Sequence, residues 1–184
     1  MEKTTFGQPP IDPKTIATEI INAVRREKDS SPGWTRAVKE ALWRCGEERG
    51  LSVYTGLRLP EKQSYEWLLD VVWYNRITCS VSLAVESEWG NEGDVLDDFS
   101  KLLVVKAPLK VMIYFAYKGS FVERFEKEYL SAFDHHVKCE QYLLIQFQGP
   151  KNDRVYLYEA PNDGRVKEVR FSELDLGTMA AATS

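Results

Sequence analysis

Three apolar runs rich in β-branched and aromatic residues constrain this chain most: Tyr65 to Asn75 (YEWLLDVVWYN), Thr78 to Trp89 (TCSVSLAVESEW) and Leu109 to Tyr117 (LKVMIYFAY). Only Arg76 and Ile77 separate the first two, a break that suits an antiparallel hairpin. Between the second and third, Gly90 to Asp94 opens a helix that carries Asp94, Asp97 and Asp98 in its early turns and runs to Ala107, before Pro108. A hairpin followed by a helical crossover demands a mixed sheet with helices on both faces, an α/β fold.

The flanking sequence extends this pattern. Ile16, Ile20, Ile21 and Val24 recur at helical spacing and predict a helix over 13–28, with Pro13 in its first turn and KDSSP (28–32) as a loop. Val38, Ala41, Leu42 and Cys45 predict a second helix over 35–49, stopped by Gly50. Strands are expected at 51–57, 141–148 and 154–159, and a helix at 121–133. The expected boundaries are an extended arm at 1–12, a single domain at 13–176 and a flexible tail at 177–184.

At 184 residues and 43% hydrophobic content, one core suffices. No run approaches the roughly 20 apolar residues of a membrane span, and MEKTTFGQPPIDPK lacks the apolar segment of a signal peptide. The expectation is a cytoplasmic protein with no membrane partner. A net charge of −4 gives no global attraction to phosphate, so nucleic acid would have to be met by a local patch. Cys45, Cys79 and Cys139 form no CxxC pair and are expected as thiols packed in the core.

Alternation in the first run isolates Asp70 as a lone carboxylate in LLDVVW, which should be buried on both faces, with Trp67 and Trp73 as core. A buried carboxylate needs an arginine or lysine, a backbone turn, a proton or a metal ion as partner. In the second run Glu86 and Glu88 point the same way. On paired neighbouring strands, facing side chains lie about 4.5 to 5.5 Å apart at Cβ. Asp70 and Glu86 could then share a Mg²⁺ or Mn²⁺ ion, which lowers the pKa of a bound water and stabilises charge on a phosphodiester. The alternative is an Asp70 tied to a buried cation, with both glutamates solvated at the strand edge.

The element order from residue 35 to about 148, with Asp70 in the second strand and Glu86-Ser87-Glu88 closing the third, resembles the PD-(D/E)XK restriction-endonuclease-like superfamily, whose core runs αβββαβ. The resemblance implies a Mg²⁺- or Mn²⁺-dependent nuclease hydrolysing phosphodiester bonds. Asp70 and Glu86 would be metal ligands, and Asp70, Glu86 and Glu88 the catalytic set. Nucleic acid, DNA rather than RNA, would be the partner, with a homodimer or a protein partner in addition. The chain departs from the family where Glu88 replaces the motif lysine. Glu88 would then serve as a water-positioning base or second metal ligand. The alternative function is a catalytically inactive binding or regulatory module of the same fold.

On a helical wheel with Val95, Phe99 and Leu102 buried, Lys101 falls nearly opposite and is expected in solvent, while Lys106 lies on the buried side but too far along the helix. Neither is expected to replace the motif lysine. Glu48 is expected on a solvated face, and Asp134, His135, His136 and Cys139 in a polar loop, their adjacency being wrong for zinc. Trp34, with Arg36 and Lys39, is the one local combination suited to base stacking.

Overall fold

A computed structural model describes residues 11–27, 31–59, 62–63, 65, 67–116, 121–133, 136, 139–149, 152–160 and 171–176. Most of the arm and the whole tail expected at the two ends lie outside them.

Helix α1 (Pro13–Arg26) begins where the Asp12 carboxylate accepts from Lys14 N and Thr15 N, at 3.2 and 3.1 Å. Helix α2 (Ser31–Glu48) starts earlier than its apolar stripe suggests, because Pro32 fits a first helical turn whose N–H groups have no partner anyway. Helix α3 (Glu92–Val104) is capped by Asn91, whose Oδ1 accepts from Gly93 N at 2.8 Å and Asp94 N at 3.2 Å. The helix expected at 121–133 is one short α-helical turn, α4 (Val122–Arg124), that passes into a π-helical turn at Phe125–Leu130.

Among the described residues, seven strands form one sheet in the order β1 (Ser52–Tyr54), β4 (Val71–Asn75), β5 (Ser80–Glu88), β6 (Leu109–Phe115), β7 (Gln141–Phe147), β8 (Arg154–Glu159) and β9 (Ser172–Glu173). β2 (Arg58–Leu59) and β3 (Lys62–Gln63) form a separate small hairpin. β5, β6 and β7 run parallel, joined by crossovers, and every other pairing in the sheet is antiparallel. The chain is thus a mixed α/β fold with a seven-stranded sheet flanked by helices.

The period-two pattern divides the core into two layers. Val71, Trp73, Leu83, Val85, Val111, Ile113, Leu143 and Ile145 pack against α1 and α2. Val72, Ala84, Met112, Tyr114 and Leu144 pack against α3 and the π-helical turn. Gly46 lets α2 come close to the sheet: a Cβ there would stand 2.5 Å from Val53 Cγ2 and 2.8 Å from Trp73 Nε1. The indole in turn donates to Leu42 O at 3.0 Å.

Two expectations fail at the sheet margin. β4 begins at Val71 and not at Tyr65, since β1 pairs only with Val72 to Tyr74 and offers the preceding residues no ladder. Trp67 and Leu68 are consequently 44% and 73% exposed, and Trp67 stacks on Tyr54 with ring centroids 5.1 Å apart. Of the cysteines, Cys45 is buried as expected, but Cys79 and Cys139 are exposed at left-handed positions with φ of 51° and 60°.

Candidate active site

The β4–β5 register brings the two candidate ligands together. Val71 pairs with Val85 and Val72 with Ala84, so Asp70, the residue before β4, comes opposite Glu86 on the sheet face that carries Val72 and Ala84. Asp70 N donates to Glu86 Oε2 at 3.2 Å. The Asp70 carboxylate is held on both oxygens. Oδ2 accepts from Ser87 N at 2.9 Å and Ser87 Oγ at 2.6 Å, and Oδ1 lies 3.0 Å from Lys39 Nζ of α2. The partner that a lone carboxylate requires is therefore a lysine, with a serine beside it.

Glu86 is only 3% exposed, unlike the solvated strand-edge glutamate of the alternative. Its Oε1 stands 3.2 Å from Lys101 Nζ but is buried without an aligned hydrogen bond. Burial first, then the charges of Asp70 and Asp98, push the Glu86 carboxyl up to about 7, against the smaller opposing effects of Lys101 and Asp70 N. The carboxylate that adds to the repulsion here is Asp98, not Glu88. Glu88 turns back on its own chain, where Oε1 accepts from Gly90 N at 2.5 Å.

Lys101 corrects the helical-wheel expectation. It is half-buried, donating to Asp98 Oδ1 at 2.6 Å and facing Glu86. Angular position ignores stem length: from the flank of α3, four methylenes carry the ammonium back over the sheet edge. The hydrogen bond to Asp98, chiefly, raises its pKa above the usual lysine value, so it remains a cation at any physiological pH. Lys106 lies beyond α3 and is exposed, contrary to its place on the wheel. Glu48 is exposed as expected and lines a separate cavity with Arg49, Asn75 and Glu159.

Among the described residues, no group of three Asp, Glu, His or Cys side chains forms a metal site. What converges is a pair of carboxylates, and such a pair suits a magnesium-type ion, which takes one or two carboxylates and completes its shell with water and phosphate oxygens. Two observations fit that ion: a buried Glu86 oxygen that has the Lys101 ammonium nearby but no aligned hydrogen bond, and a carboxyl whose negative surroundings outweigh that lysine.

A second polar cluster was missed in the sequence. His136, expected in a polar loop, has a buried side chain: its Nδ1 is 2.8 Å from Glu140 Oε1 and its Nε2 2.9 Å from Leu130 O. Glu140 Oε2 also meets Lys110 Nζ at 2.9 Å, and Tyr142 Oη donates to Glu140 Oε1 at 2.8 Å. Lys110 is a lone cation in an apolar strand, the same signal that marked Asp70, and it could have been read the same way. Asp134 and His135 lie outside the described residues. Trp34 is not set beside Arg36 and Lys39, which pair with Glu40 and Asp70; it packs on Trp89 and Phe115.

Compared with known proteins, the sequence matches no family model and no curated protein. Among the described residues, no helix is long and apolar enough to cross a membrane.

Proposed function

We propose that the chain is a divalent-metal-dependent nuclease of the restriction-endonuclease-like kind, hydrolysing phosphodiester bonds in DNA. The observation that carries this reading is Lys101, delivered by α3 onto the Asp70–Glu86 pair. It supplies the cation that the ExE sequence lacks. The succession α2, β1, β4, β5, α3, β6, with two antiparallel pairings and then a parallel one, supports the αβββαβ core, the β2–β3 hairpin being an insertion.

Asp70 and Glu86 would hold the Mg²⁺ or Mn²⁺ ion. When bound, it would polarise the phosphodiester and lower the pKa of a water. Ser87 and Lys39 fix the Asp70 carboxylate in place. Lys101, permanently charged, cannot act as a base; it is suited to stabilising charge that grows on the phosphate oxygens. Glu88 shares the strand face of Glu86 and is the carboxylate left to orient or deprotonate water. Cutting both strands of a duplex would call for two such sites, hence a homodimer.

One observation favours the second reading, an inactive binding module: Lys39 and Ser87 already satisfy both Asp70 oxygens. Incubation with plasmid, linear and single-stranded DNA and with RNA, in Mg²⁺ or Mn²⁺, separates the two. The nuclease reading expects cleavage that vanishes in Asp70→Ala and falls about a hundredfold or more in Lys101→Met. Cleavage equal in all three proteins, or none by the wild type on any substrate, overturns it.

A further inference from the structure

The carboxyl ends of the parallel strands β5, β6 and β7 present Trp89, Phe115 and Phe147 on the face packed by α1 and α2. With Val24 and Glu27 at the end of α1 and Trp34 in α2, they line a cavity of about 350 Å³. In open α/β sheets this edge is where ligands enter. Trp34 and Phe115 lie with their ring planes within 10° and centroids 6.4 Å apart. Trp89 closes one side, edge-on to Trp34 at 5.2 Å and fixed by its indole donating to Thr35 Oγ1 at 2.8 Å.

The charged groups lining the cavity are Arg25 and Glu27. Arg25 is committed to Asp153, 2.5 Å away, whereas no hydrogen bond within the described residues engages the Glu27 carboxylate. Gly33 leaves room for it: a Cβ there would stand 3.1 Å from Glu27 Cγ. An ionised carboxylate only accepts. Of the bases, guanine alone presents two adjacent N–H donors, N1–H and N2–H, on its pairing edge.

We propose that this cavity binds a guanine base, stacked against its aromatic wall of Trp34, Trp89 and Phe115 and held by Glu27. The inference rests on the nuclease reading for its meaning: Trp89 directly follows Glu88 in the sequence, and the base bound here would be the one that such a nuclease recognises.

The test is binding of GMP, AMP, CMP, UMP and ribose 5-phosphate to the full chain in EDTA, read by tryptophan fluorescence and calorimetry. GMP should bind about five- to a hundredfold more tightly than the other nucleotides, the discrimination expected of a bidentate contact. Ribose 5-phosphate should not bind. Glu27→Gln should remove the preference for GMP, Gly33→Ala should weaken it, and Trp34→Leu should abolish binding of every nucleotide. Equal affinity for all four nucleotides, equal binding of ribose 5-phosphate, no saturation by any of them, or a GMP preference that survives Glu27→Gln would overturn the proposal. With metal chelated and no cleavage read, this outcome is independent of the cleavage assay, so either reading can fail alone.

Discussion

Replacing Glu86 by glutamine should stabilise the metal-free protein at alkaline pH relative to acid, because the folded state raises the Glu86 pKa from 4.5 to about 7. Between these values the folded protein keeps a proton that the unfolded chain has released. Stability from this group is therefore full below pH 4.5 and declines as pH rises to 7. At 1.36 kcal/mol per unit, the whole loss is about 3 kcal/mol. About 2.5 kcal/mol of it should fall between pH 5 and pH 8. Glutamine keeps the shape and cannot ionise, so subtracting the effect of Glu86→Gln at pH 5 from that at pH 8 cancels every pH-independent consequence of the change. Urea unfolding in EDTA at the two pH values measures this difference. A value near zero, or a variant relatively less stable at pH 8, would mean that the Lys101 charge outweighs burial, Asp70 and Asp98, and the reasoning would fail. Millimolar Mn²⁺ should shrink the difference, because the ion binds the ionised form.

Other expectations follow from the same geometry. Glu140→Gln should cost about 3 to 5 kcal/mol in urea unfolding, because it leaves the buried Lys110 ammonium with Leu103 O and Tyr142 Oη but no counter-charge. Gly46→Ala should cost about 1 to 3 kcal/mol by the same measurement, since its Cβ would collide with Val53 and the Trp73 ring. Ser87→Ala should leave the fold intact but weaken Mn²⁺ binding by about 10- to 100-fold in calorimetry, having lost the hydroxyl that orients Asp70. A hundredfold excess of Mg²⁺ or Mn²⁺ over its dissociation constant should add about 2.7 kcal/mol and raise Tm by several degrees, and Asp70→Asn should remove that response.

The three parallel strands at the centre of the sheet were legible in the sequence. β5, β6 and β7 read correctly because apolar residues fall on both faces, and the Asp70–Glu86 juxtaposition followed from two adjacent strands joined by a short turn. Residues 65–70 read as strand on composition alone, but whether a segment joins a ladder depends on the length of its partner, here the three-residue β1. The site was half legible. Carboxylates announce themselves inside apolar runs, whereas Lys39 and Lys101 reach the site from helix flanks, on stems that a helical wheel does not represent. Asp98 was read as a partner of the helix dipole, and its proximity to Glu86 depends on how α3 lies across β5. The π-helical turn carries no local signature distinguishing it from an α-helix.

The most direct test of the central claim is the position of manganese in a crystal of the wild-type protein, located by anomalous scattering. The account predicts one strong peak within bonding distance, about 2 Å, of a carboxylate oxygen from each of Asp70 and Glu86, with the Lys101 ammonium withdrawn from Glu86. It also predicts that this peak disappears in Asp70→Asn. No peak between these residues at millimolar manganese, with Lys39 still on Asp70 and Lys101 still on Glu86, would contradict it and leave the pair as a structural ion-pair cluster.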